Sequence, residues 1–241
     1  METELKKERL SIPVAIIIAG VIIAGAVIWS SKSNANLAQK QQPQAIAQQG
    51  GNLDAMNPIS KDDHIRGNPD ATVKIVEYSD MECPFCKSFH LIMKQIMDEY
   101  GKTGKVAWVY RHFPLDSIHS KARPEAVASE CVAEQGGNDA FWKFTDRFFE
   151  LTPSNNRTDI ETVIPQIVRE IGLNEEQFVS CRTSGRYDKH IQDDLDNATA
   201  TGGNGTPWSI VVGKNGKKYP LSGAQPYSSI KQLIDLALQG K

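Results

Sequence analysis

The sequence predicts an α/β fold: a mixed sheet of four or five strands, helices on both faces, and an inserted helical block. Three observations predict it. A strand-like run, a helical run and a second strand-like run follow one another between residues 72 and 113, as in a βαβ unit. Residues 115–202 are patterned as helix throughout. A hairpin signal and one amphipathic helix then close the chain.

The N-terminus precedes this domain and predicts its compartment. Residues 10–31 carry no charge and are mostly Ile, Val, Ala and Gly. At about 1.5 Å of rise per residue they can cross a hydrocarbon layer of roughly 30 Å. Lys6, Lys7 and Arg9 precede the run, and Trp29 lies near its other end. That charge bias puts residues 1–9 in the cytoplasm and the rest outside, with the indole at an interface. A cleaved signal peptide is the competing reading, but its apolar region is shorter, and Ser33-Asn34-Ala35 is a weak cleavage site. Residues 32–57, rich in Gln, Asn, Ala and Gly, read as a flexible tether. The folded domain is expected over 58–240.

Within the domain, residues 72–79 alternate as a strand, which sets Val73, Ile75 and Glu77 on one face. A helix is expected over 84–100, because Cys86, Phe89, His90, Met93, Ile96, Met97 and Tyr100 recur at helical spacing. Pro84 suits its first position and Gly101 its end. Residues 105–113 are aromatic and β-branched, a second strand. Helices follow at 119–135, 139–150, 159–171, 175–184 and 186–200. Asn174 with Gln177 forms a capping pattern, Gly172 and Gly185 are stops, and Pro165 should start, break or kink its helix. Strands at 208–212 and 218–221 flank Asn215-Gly216, a hairpin turn. Residues 227–238 form the last helix, with Ile230, Leu233, Ile234 and Leu238 along one side.

A formal net charge of −2 excludes a general basic field for nucleic acid. Four cysteines are too few for a disulfide-built scaffold. Cys83 and Cys86 stand as Cys-Pro-Phe-Cys between the first strand and its helix. Disulfide exchange needs a thiolate and a second thiol to resolve the mixed disulfide. Two intervening residues allow the first helical turn to bring the sulfurs within bonding reach. Unpaired N–H groups at the helix start favour the charged form of the first cysteine. Cys83 is therefore the expected nucleophile, and Cys86, on the apolar face, the less exposed resolving thiol. Zinc is the alternative use of Cys-x-x-Cys, but no second tight ligand pair is present. A purely structural bridge is the other, disfavoured because so short a loop constrains little chain entropy.

The run EYSDMECPFC after a strand, the helical insertion, GTPWSIV, and SGAQPY before the terminal helix resemble the DsbA-like branch of the thioredoxin superfamily. The resemblance extends from about Pro58 to Gly240. It implies a thioredoxin-like mixed sheet, a redox pair at Cys83 and Cys86, and a cis-proline at Pro207. It also implies a Thr206 backbone aimed at an extended peptide, with Pro84 and Phe85 in the substrate-contacting surface. Glu77 matches the family's buried acid, which exchanges protons with the deeper thiol; periodicity places the same residue on an apolar face. The chain departs from the family between the cysteines, where Phe85 stands in place of histidine and weakens thiolate stabilisation.

The activity implied is disulfide formation in exported, cysteine-containing proteins, without a bound cofactor or metal. Reoxidation by a quinone-linked membrane protein is implied as well. A reductase or isomerase of the same fold is the second reading, and a peptide-binding chaperone module the third. Cys131 and Cys181, left over in an oxidising compartment, are expected to form a structural bridge rather than a second redox pair; two separate buried thiols are the alternative. The five histidines show no metal-ligand spacing, and His90 is expected in the core.

Overall fold

The computed structural model describes residues 51–240. The expected transmembrane helix at 10–31, and the tether as far as residue 50, lie outside the described residues. No helix among the described residues is long and apolar enough to cross a membrane.

A single-turn 3-10 helix, Leu53–Ala55, comes first. It is docked: the Asn52 N–H donates to the Ala200 carbonyl at 3.3 Å, and the Asn57 N–H to the Asn197 side chain at 3.1 Å. Packing thus begins ahead of Pro58. Then come β1 (His64–Gly67), β2 (Val73–Ser79), α1 (Pro84–Ile96), β3 (Val106–His112) and α2 (Ala122–Leu151). They are followed by α3 (Ile160–Glu170), α4 (Glu175–Arg182), α5 (Asp188–Ala200), β4 (Trp208–Val212), β5 (Lys218–Ser222) and α6 (Tyr227–Gln239). The strand order is β1-β3-β2-β4-β5. Only β2 and β3 pair in parallel, so the sheet is mixed as expected.

The alternation in β2 divides the protein into two layers. Val73, Ile75, Trp108, Tyr110, Val211 and Leu221 face α1, the insertion and α6 in one buried cluster. Val76, Tyr78, Val109, Trp208 and Ile210 face α5 and the N-terminal turn in the other. The aromatic residues Phe141, Trp142, Phe144, Phe148 and Phe149 of α2 are all buried and belong to the first layer.

Several expectations are adjusted by tertiary contacts. β1 went unread because HIRG has no apolar alternation; it forms by antiparallel pairing with β3, His64 opposite Tyr110. The helix after Cys83 ends as a wider π-helical turn, Met97–Gly101. α2 contains both helices expected at 119–135 and 139–150, merged across a kink at Gly137, whose φ of 69° suits glycine. It begins at Ala122 rather than residue 119, because Ile118 and His119 turn back on the Leu115 carbonyl. Pro165 lies inside α3, where its missing N–H forgoes one bond to the carbonyl of Glu161. Asn174 caps α4 by accepting from the Gln177 N–H at 2.8 Å.

Cys131 of α2 and Cys181 of α4 are disulfide-bonded, with Cα atoms 5.7 Å apart and a separation of 50 residues in sequence. Both are buried, so the bridge ties two helices of the insertion from within its core.

Candidate active site

β2 ends at Ser79, and Asp80-Met81-Glu82 turn the chain into α1. Cys83 is the N-cap of that helix, with extended backbone angles, and Pro84 occupies the next position. The turn is closed by the Cys83 N–H donating to the Asp80 carbonyl at 3.1 Å. In the other direction the Asp80 N–H donates to the Cys86 sulfur at 3.4 Å. Both thiols are free.

The two sulfurs are held in opposite electrostatic states. Cys83 is lowered to about 6, first by a hydrogen bond from the Cys86 thiol; the Thr206 side chain and the Cys86 and Phe85 N–H groups add to this, against desolvation. Cys86 is pushed well above the ordinary thiol value, first by burial and then by its bond to Cys83 and the charges of Cys83 and Glu77. Cys83 is less open than its expected role suggested: it is 4 % exposed and Cys86 0 %. The reason is the loop across from it. The Thr206-Pro207 bond is cis, and the Cys83 thiol donates to the Thr206 carbonyl at 3.4 Å. Phe85, by contrast, is 65 % exposed beside the pair.

Glu77 lies beneath this pair, between Tyr110 of β3 and Ser209 of β4 in register. Its carboxylate accepts from the Trp108 indole N–H at 2.8 Å. Burial raises its pKa to about 7, opposed by Ser79 and Trp108 and aided by the charge of Cys83. The acid therefore titrates near neutrality, in electrostatic contact with both thiols.

A thioredoxin family match covers residues 60–236. The chain belongs to the thioredoxin family. Among solved structures it is similar to Pseudomonas aeruginosa DsbA2, with 28 % identity and a TM-score of 0.65, over 76 % of this chain and 98 % of that one. It is also similar to oxidised BdbD from Bacillus subtilis, with 25 % identity and a TM-score of 0.66, over 77 % and 97 %. The protein is thus a DsbA-like member of the thioredoxin superfamily, with the fold of thiol–disulfide oxidoreductases. Curated relatives include Na(+)/H(+) antiporter NhaA 3 of Salinispora tropica, 32 % identical over 68 % of this chain and 24 % of that protein. Another is Na(+)/H(+) antiporter NhaA 1 of Mycolicibacterium gilvum, 34 % identical over 67 % and 25 %. The chain spans about a quarter of the length of these two curated relatives.

In this DsbA-like domain the structure brings Cys83, Cys86, Glu77, Thr206 and Pro207 to one end of the sheet. It sets Cys131 and Cys181 apart in their own bridge. His90 is in the core, its Nε2 2.7 Å from Asp146 and its ring against Trp108 and Phe149. Sequence reading missed Asp80 and His119. The Asp80 carboxylate is fully buried and accepts from the Glu82 and Leu115 N–H groups, both at 2.8 Å. It also bonds His119 Nδ1 at 2.9 Å. The available signal was an aspartate three residues before Cys83, an ideal turn residue.

Proposed function

We propose that this protein is an oxidase of exported, cysteine-containing proteins. The observation that carries the reading is the asymmetry of its thiols: an acidic Cys83 capping a helix beside Thr206, and a buried Cys86 of high pKa. In the oxidised state a substrate thiolate attacks Cys83, the Cys83–Cys86 bond breaks, and Cys86 leaves as a thiolate. Glu77, which titrates near neutrality, is the acid that returns a proton to Cys86. A second substrate thiolate then attacks the substrate sulfur of the mixed disulfide and releases Cys83 as the stable thiolate. Two electrons pass from two substrate thiols to the enzyme.

An extended substrate runs over Thr206 and Pro207 and contacts Pro84 and the exposed Phe85. Residues 10–31 anchor the chain with the domain on the outer side, and a quinone-linked membrane protein reoxidises it. The uncharged Phe85 between the cysteines favours a second reading, a reductase or isomerase using the same pair. The reduction potential decides between them: a value as low as a reductant's removes the oxidase reading. A Cys86→Ala variant in the native host should accumulate mixed disulfides with exported proteins through Cys83. Alkylation of the reduced protein should be half-maximal near pH 6 and confined to Cys83.

A further inference from the structure

Phe85 brings no charge to Cys83, so a cation acting on its thiolate comes from elsewhere in the fold. Each histidine has a carboxylate neighbour. His90 bonds Asp146, His64 and His112 bond Glu130, and His190 lies 3.7 Å from Glu130. His119 alone bonds a residue of the cysteine turn, Asp80. Asp80 contacts both thiol residues through its backbone and His119 through its carboxylate. His119 is 5 % exposed, so little water separates its charge from its neighbours.

We propose that His119, held by Asp80, is the positioning residue that supplies a positive charge to the Cys83 thiolate. This rests on the redox reading of Cys83 above. Burial pushes the His119 imidazole down, but its bond to Asp80 and the charges of Asp80 and Cys83 raise it above the ordinary value. The other charged groups nearby have partners of their own. Lys121 donates to the Asn156 carbonyl at 2.8 Å and also to that of Thr158; Lys87 donates to the Thr152 carbonyl. Glu82 accepts from the Asn156 N–H. Burial, and then Glu82, push the Glu125 carboxyl up to about 11, so it is neutral at physiological pH. The Asp80 carboxylate accepts from two backbone N–H groups besides His119.

The coupling is reciprocal: a thiolate that feels the imidazolium must raise the imidazole's affinity for its proton. The test follows His119 by NMR titration of the full chain, reduced and then with the Cys83–Cys86 disulfide formed. The expected result is a His119 pKa higher in the reduced form by about half a unit or more. His119→Gln should raise the Cys83 pKa by the same amount, roughly a threefold loss of thiolate at pH below that pKa, and His119→Lys should restore it. Identical His119 titration in both redox states overturns the proposal. So does a His119→Gln variant that loses stability while its Cys83 alkylation profile stays that of the parent. Failure of the chain to form the Cys83–Cys86 disulfide at all would instead remove the oxidoreductase reading.

Discussion

The two cysteine pairs of this chain differ in every respect that governs sulfur chemistry. Cys131 and Cys181 are 50 residues apart and join two helices inside the insertion. Cys83 and Cys86 share one helical turn, and each is driven in an opposite direction, Cys83 toward the thiolate and Cys86 toward the thiol. The first pair has long chain entropy to constrain and no neighbour to react with. The second constrains almost nothing, and its asymmetry suits it to exchange. The difference teaches that a disulfide's role is read from loop length and local field rather than from burial, since all four sulfurs are buried.

The comparison is broken most completely at Cys83. Cys83→Ser should reduce disulfide exchange to the rate of free thiols, whereas the double variant Cys131→Ala, Cys181→Ala should leave the exchange rate unchanged. An insulin-reduction or peptide-oxidation assay reads both. The double variant should instead lose stability. Closing a loop of this length stabilises by about 4 kcal/mol in the chain-entropy treatment, which denaturant titration of the two proteins would show.

Glu77→Gln sharpens the contrast from beneath the redox pair. Glu77 ionises near 4.5 unfolded and about 7 folded, so ionisation of the unfolded state drains stability as pH rises through that window. Replacing the acid with a neutral amide should therefore raise stability by about 3 kcal/mol above pH 8 and leave it unchanged below pH 4. The same variant should slow formation of the mixed disulfide, because Cys86 then leaves without its proton donor. The smallest effect is expected at Phe85. Phe85→His should lower the Cys83 pKa by about one unit and raise the reduction potential by about 30 mV, measured against a glutathione buffer. The sign follows because stabilising the thiolate stabilises the reduced protein.

Much of the site was legible because its causes are local. Cys83, Cys86 and Pro84 are adjacent in sequence, and a strand followed by an apolar helical run fixes the junction between them. Glu77 was legible because strand alternation leaves only two faces to choose from. β1 was not, since its four residues carry no pattern and owe their conformation to β3. His119 was misplaced into a helix for a related reason: the bend after Leu115 is set by contact with Asp80, far away along the chain.

By itself the sequence determined the order of elements from β2 onward, the Cys-x-x-Cys motif and the face on which Glu77 lies. Period, spacing and turn chemistry act over a few residues and are written in them. Tertiary structure alone decided that Thr206 covers Cys83 and that His119 reaches the cysteine turn, and it joins Cys131 to Cys181 as the sequence had led one to expect. Each of those joins residues dozens of positions apart, where only the packing of separate elements brings them together.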